Sequence, residues 1–111
     1  MHKTAAISFL VLGLVAVNAT ASDLSTDVKF LSDAVRSNPH SASAWRALGH
    51  VQFLSGHNEL ARTELLMAML LNPTEAKVWL ELGFADIKLG RSNEGVAAVE
   101  MARRLHLKTI S

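Results

Sequence analysis

The stretch AWRALGHVQFLSG, from Ala44 to Gly56, returns in altered form as VWLELGFADIKLG, from Val78 to Gly90. Most positions differ, but four are identical at an interval of 34 residues (79 − 45 = 34 for the first pair). The shared residues are Trp45 and Trp79, Leu48 and Leu82, Gly49 and Gly83, and Gly56 and Gly90. A fixed interval of this length indicates an internal structural repeat.

The chain after Asp23 has the periodicity of helices and lacks the alternating apolar and polar runs that are typical of strands. Proline disfavours a helical conformation in the residue before it, so each Asn-Pro pair should end a helix. Breaks are predicted at Asn38-Pro39, Gly56, Asn72-Pro73 and Gly90. The sequence therefore predicts an all-α fold of about five helices: Ser25–Ser37, Ala42–Leu54, Glu59–Leu71, Glu75–Leu89 and Glu94–Leu107. The predicted helix N-caps are Asn58, Thr74 and either Ser92 or Asn93.

The repeated residues predict how these helices pair. Trp45, Leu48 and Gly49 lie at i, i+3 and i+4, on one face of a helix, where the glycine lets a partner helix approach closely. Small residues recur at the same interval in the partner helices. These residues are Ala34, Ala68 and Ala102, together with Ala61 and Gly95. Two-helix units of this kind stack, because neither can bury its apolar face alone.

The pattern Trp-x-x-Leu-Gly, a small residue, Ala and Pro at this period resembles the tetratricopeptide repeat (TPR). Two repeats are predicted, at about 42–75 and 76–109, after a preceding half repeat. The chain departs from the family pattern at three positions, where Gln52 and Asp86 replace an aromatic residue and Leu107 replaces a proline. The resemblance implies a right-handed helical solenoid that binds peptides or protein segments and carries no chemistry of its own.

The resemblance also implies where a partner would bind, because the first helix of each TPR pair lines an inner groove. The residues so predicted for peptide binding are Arg46, His50, Phe53, Lys77, Leu80, Phe84 and Lys88, and Ser43, Leu54 and Ile87 occupy further inner positions. Three basic residues would form a modest positive rim around an apolar floor. Such a groove suits an acidic, apolar segment. The alternative is that some of the phenylalanines pack against a neighbouring helix instead.

Other function classes find little support in the composition. Removal of Lys3 with residues 1–21 leaves ten basic (11 − 1 = 10) and ten acidic residues, so no basic excess indicates nucleic-acid binding. The chain has no cysteine, and its histidines are not spaced as metal ligands, so neither a cofactor nor a metal is predicted. Asp86 could be a catalytic or binding carboxylate. The more conservative interpretation is a polar residue near the surface, paired with Arg62 or Lys88, and the chain is predicted not to be an enzyme.

The first 21 residues have the plan of a secretory signal peptide. A basic start precedes an apolar run from Ala5 to Val17, and the small residues Ala19 and Ala21 stand at the positions that a signal peptidase reads. The alternative, a membrane anchor, needs about 20 apolar residues, and this run is shorter. We therefore expect a TPR-like domain over residues 22–111 in the periplasm or outside the cell, without stable membrane insertion after cleavage.

Two functions follow from this interpretation. The first is an adaptor that helps to assemble an envelope complex, such as a pilus, a secretion system or the cytochrome c maturation machinery. The second is a structural subunit that self-associates, because no later helix covers the apolar side chains of the last helix, so a homo-oligomer is the alternative. Those side chains are Val96, Val99, Ala102, Leu105 and Leu107.

The exported protein should begin at Ser22, because the predicted cleavage follows Ala21. Intact-mass measurement of the protein recovered from a periplasmic extract checks this expectation. Recovery in the membrane fraction, with a mass that includes residues 1–21, would show an uncleaved anchor instead.

Overall fold

The computed structural model describes residues 24–110, which form five helices joined by short turns. Helix α1 covers residues 24–37 of this part of the chain. The later helices are α2 (Ala42–Leu54), α3 (Asn58–Leu71), α4 (Ala76–Lys88) and α5 (Ser92–Ile110). The predicted signal peptide, residues 1–21, lies outside the described residues. The predicted all-α architecture is confirmed.

The helix ends differ from the prediction in informative ways. The N-cap of α4 is Glu75 and not Thr74, whose hydroxyl donates to Asn72 Oδ1 instead (3.1 Å). Asn58 and Ser92 are the first helical residues of α3 and α5 and not their caps. Helix α5 continues past the predicted end, because Leu107 stands where the first repeat has the helix-ending Pro73.

A glycine turn closes the first helix of each pair. Gly56 and Gly90 have φ of +83° and +81°, a conformation that costs other residues energy. The next amide then bonds back into the helix, His57 N–H to Gln52 O (2.9 Å) and Arg91 N–H to Asp86 O (2.8 Å). This arrangement satisfies the free carbonyls at the helix end and turns the chain toward the second helix of the pair.

The repeated tryptophan has a polar role besides its packing. Trp45 Nε1 donates to the carbonyl of Pro39 (2.8 Å), and Trp79 Nε1 donates to the carbonyl of Pro73 (2.7 Å). Each bond ties the first helix of a pair to the turn that enters it. The shared spacing of tryptophan and proline therefore has a direct physical cause.

Within a pair, the helices cross at the repeated glycines. A Cβ atom on Gly83 would lie 2.8 Å from the backbone oxygen of Gly95 and 2.7 Å from Val99 Cγ2, and a Cβ on Gly49 would lie 2.7 Å from Leu65 Cγ. Because these distances are shorter than van der Waals contact, only glycine fits at both crossings. The predicted role of the two glycines agrees with this geometry.

The pairs stack through α3 and α4, where the core of the domain lies. Ala61 and Leu65 of α3 pack against Leu82 and Ala85 of α4, and all four side chains are buried. Burial of this apolar surface is the main source of the stability of a stacked repeat.

Gly83→Leu should destabilise the domain by about 3 kcal/mol or prevent folding, because the side chain would force α4 and α5 apart. Gly90→Ala is the matched control, since no atom lies within 4 Å of a Cβ there and only the backbone strain of about 1 kcal/mol remains. Thermal unfolding followed by circular dichroism measures both variants. Equal melting temperatures for Gly83→Leu and the wild type would contradict the assigned crossing.

Candidate peptide-binding groove

Helices α2 and α4, the first helices of the two pairs, border a groove of about 300 Å³. Six of the seven predicted binding residues line it: Arg46, His50, Phe53, Lys77, Leu80 and Phe84. Leu54 and Glu81 complete the lining. The equivalent helices of successive repeats thus bring side chains about 30 residues apart in sequence to one surface.

Three residues from the inner positions of the predicted groove lie elsewhere. Lys88 is exposed in the last turn of α4 and does not line the groove. Ile87 faces the helix crossing, where its Cγ1 lies 2.6 Å from the position of a Cβ on Gly95. Ser43 lies at the start of α2, where its hydroxyl is 3.2 Å from that of Ser41. The groove is therefore shorter along α4 than predicted.

Glu81 changes the electrostatics of the groove, although its place in the repeat did not predict it as a groove residue. Its Oε1 accepts from Arg46 Nε (2.9 Å), and its Oε2 bonds to His50 Nδ1. Glu75 Oε1 lies 3.8 Å from the same Arg46 nitrogen. The predicted positive rim is therefore reduced, because the charge of Arg46 is already paired and Lys77 is the basic lining residue outside this cluster.

The two phenylalanines of the groove differ in exposure. Phe53 is partly buried and packs against the core cluster of α3 and α4, which agrees with the alternative interpretation of packing. Phe84 has 44% of its surface exposed and lines the groove beside Leu80 and Leu54. Phe84 is thus the aromatic side chain of the groove that a partner can reach most readily.

Solved structures with the same arrangement of helices belong to longer chains. A crystal structure of MamA gives a TM-score of 0.75 at 20% identity, over 86% of this chain and 56% of that one. AMB-1 MamA gives 0.74 at 26% identity, over 88% of this chain and 57% of that one. The Arabidopsis OM64 TPR domain gives 0.74 at 21% identity, over 81% and 74%. The fold is that of a TPR domain.

The likeness lies in the structure rather than in the sequence. Comparison of the sequence finds no matching family model and no matching curated protein. The chain spans a little over half the length of the MamA chains that it resembles. The TPR resemblance predicted from the spacing of tryptophan, glycine and proline is confirmed at the level of the fold.

Buried polar residues occupy the two positions where a TPR usually has an aromatic residue. Asp86 is 3% exposed, and its Oδ1 accepts from Arg62 Nε of α3 (2.6 Å). Gln52 is 6% exposed and bonds through Oε1 to His57 Nδ1 (2.8 Å). The predicted pairing of Asp86 with Arg62 is correct, but its predicted place near the surface is wrong. Its partner and its burial give Asp86 a structural role, since it joins the two helix pairs.

Glu64 of α3 also lies in an unusual environment for a carboxyl group. Desolvation by burial raises its pKa from 4.5 to about 7, although a hydrogen bond from Gln52 opposes the rise. Its Oε1 is buried without a hydrogen-bond partner. Glu64 also lines a cavity together with Trp45, Leu48 and residues of α1. Arg36 lines the same cavity as Glu64, and its guanidinium pairs with Asp33 (3.3 Å).

Among residues 24–110, no group of three or more His, Cys, Asp and Glu side chains is arranged to hold a metal ion. The helices of the same range include none with the length and apolar character needed to cross a membrane.

The stability of the domain should fall as pH rises from about 4.5 to about 7. In this window the folded chain keeps the Glu64 proton that the unfolded chain has released, so the folded state is favoured at the acidic end. Glu64→Gln should remove this pH-dependent contribution to the free energy of unfolding, which is on the order of 1–2 kcal/mol after allowance for solvent screening. Melting temperatures at pH 5 and pH 8 measure it.

Glu59→Gln provides the control, because Glu59 is an exposed glutamate of the same helix. This variant should keep the pH dependence of the wild type. The interpretation of Glu64 fails if the Glu64→Gln protein shows the same change in melting temperature between the two pH values as the wild type.

Proposed function

We propose that the chain is an adaptor that binds a segment of a partner protein in the groove between α2 and α4. The observation that carries this proposal is the convergence of side chains from two successive repeats on one open groove that contains the accessible ring of Phe84. TPR domains use the equivalent surface for peptides, and apolar grooves with a few polar groups are typical binding sites.

The lining of the groove indicates the chemistry of the segment. Phe84, Leu54 and Leu80 favour an apolar side chain in the bound segment, and Lys77 favours an acidic one. Glu81 already pairs with Arg46 and His50, so an acidic ligand would have to compete with it for these two groups. We therefore propose a segment with apolar anchors and a single acidic residue near Lys77, rather than a strongly acidic one.

The proposed place of action is the periplasm or the outside of the cell. The predicted signal peptide over residues 1–21 supports this location. An exported adaptor fits the assembly of an envelope complex, such as a pilus, a secretion system or the cytochrome c maturation machinery.

Self-association through the last helix is the second candidate. Val96 and Ile110 of α5 are 62% and 67% exposed, and Leu107 is also exposed. Contiguous exposed apolar side chains often mark an interface. A dimer in sedimentation experiments that Val96→Glu disrupts would favour this function over the adaptor.

Phe84→Ala should strongly weaken the capture of partner proteins from an envelope extract, because it removes the accessible aromatic anchor of the groove. Phe30→Ala is the matched control, since Phe30 lies on α1, is highly exposed and does not line the groove. Bound proteins are compared by quantitative mass spectrometry after each variant is shown to keep the helical spectrum of the wild type.

Lys77→Glu should also reduce capture and make the remaining binding less sensitive to salt, since Lys77 supplies an attractive charge at the rim of the groove. Lys88→Glu changes the same charge outside the groove and should behave as the wild type. The groove hypothesis is wrong if Phe84→Ala and Lys77→Glu both retain every partner that the wild type captures.

A further inference from the structure

A second apolar surface lies at the end of the helix stack, on the side where a further repeat would follow. Its cavity of about 390 Å³ has a floor of Ala76 and Leu80 from α4 with Val99 and Ala102 from α5. We call this surface the C-terminal face. A basic rim surrounds the floor, and it consists of Lys77, Arg103 and His106.

The repeat shows what kind of element fits the C-terminal face. Val99 and Ala102 of the second repeat are equivalent to Leu65 and Ala68 of the first, since each pair is 34 residues apart (99 − 65 = 34). In the first repeat α4 packs against Leu65, and Leu65 and Ala68 are fully buried, whereas in the second repeat Ala102 is 6% exposed and Val99 is half-buried. In the second repeat no described residue takes the place of α4. The C-terminal face can therefore accommodate one more helix.

Helix α4, which covers the equivalent surface of the first repeat, has a defined apolar stripe. Val78, Leu82 and Ala85 of α4 are buried, at spacings of four and three residues. A helix on the C-terminal face needs a similar stripe, because Leu80, Val99 and Ala102 are apolar. The C-terminal face therefore favours an amphipathic helix over an extended peptide.

The charges at the rim decide which helix would bind. Arg103 pairs with Glu100 (2.6 Å), which reduces its charge, but none of the described residues that line the face itself is acidic. Lys77 adds a further basic group on the other side of the floor. In a twofold dimer this face would meet its own basic rim, and like charges oppose each other across an interface. A second copy of the chain is thus disfavoured.

We propose that the C-terminal face binds an amphipathic helix of another protein, which carries acidic residues beside its apolar stripe and lies where a following repeat would place its first helix. This site is distinct from the groove between α2 and α4, although Lys77 and Leu80 border both surfaces. The proposal does not depend on the groove, since Arg103 and His106 lie outside that surface.

The test uses a labelled synthetic helix of about 18 residues, which is five helical turns. Its apolar residues have the spacing of Val78, Leu82 and Ala85, and glutamates flank the stripe. Fluorescence polarisation against the purified protein should show saturable binding. The same peptide with lysine in place of every glutamate should bind at least about tenfold more weakly, because it meets the basic rim with like charge.

Charge reversal on the protein locates the site. Arg103→Glu with His106→Glu should weaken binding of the acidic peptide by about tenfold or more, since both residues border the face. Arg104→Glu is the matched control, because it also breaks an ion pair with Glu100 but lies outside the face. This control should bind within about twofold of the wild type.

Three results would each overturn the proposal. The first is the absence of saturable binding by the acidic peptide, or equal binding by the lysine version. The second is equal binding by the double variant and by Arg104→Glu. The third is a peptide-induced change in the amide resonances of Phe53 and Phe84 without a change at Val99 and Ala102, which would place the peptide in the groove.

A stable dimer that Arg103→Glu with His106→Glu breaks would also overturn the proposal, because a second copy would then be the occupant. The groove is tested separately through Phe84→Ala, which should leave binding of the acidic peptide unchanged. Failure of one surface is therefore distinguishable from failure of the other.

Discussion

The close contact of two helix backbones at Gly83 and Gly95 is the constraint on which the rest of the second repeat depends. Each glycine would place a Cβ 2.8 Å from the backbone oxygen of the other. Helices that approach this closely bring Val99 of α5 against Gly83 and Ile87 of α4 against Gly95. The position of α5 then determines which of its side chains face α4 and which remain on the C-terminal face.

A close approach at Gly49, where a Cβ would lie 2.7 Å from Leu65 Cγ and 3.3 Å from the backbone oxygen of Ala61, sets the first pair. The two pairs then meet through α3 and α4. Their orientation is secured at the turns, where each tryptophan donates to the carbonyl of the proline before its helix. The groove between α2 and α4 is a consequence of this stacking. The side chains that line the groove come together because of their positions on the inner side of each first helix.

Much of the fold could be predicted from the sequence, because it depends on residues with few alternatives. The glycine turns, the Asn-Pro breaks and the spacing of tryptophan gave the bounds of α2 correctly and the other helices to within a few residues. The caps were less predictable, since Thr74 had a competing partner in Asn72. The inner positions also located seven groove residues, Leu54 among them, because they follow directly from the repeat.

The electrostatics of the groove could not be predicted in the same way. Glu81 neighbours an inner position in sequence, and only the relative placement of α2 and α4 brings it to Arg46 and His50. Burial of Asp86 likewise depends on how α3 packs against α4. Spacing within one helix predicts which residues share a face, whereas a contact between helices depends on their packing.

The ion pair between Asp86 and Arg62 means that the two repeats are not interchangeable units. Asp86 belongs to the second repeat, but its partner belongs to the first. The residue one period after Arg62 is Val96 (62 + 34 = 96), which cannot pair with a carboxylate. If the second repeat were duplicated in tandem, the new copy of Asp86 would be buried against a valine. Extension of this array therefore requires a compensating change at Val96, because each new copy of the Asp86 carboxylate needs a basic partner in the repeat before it.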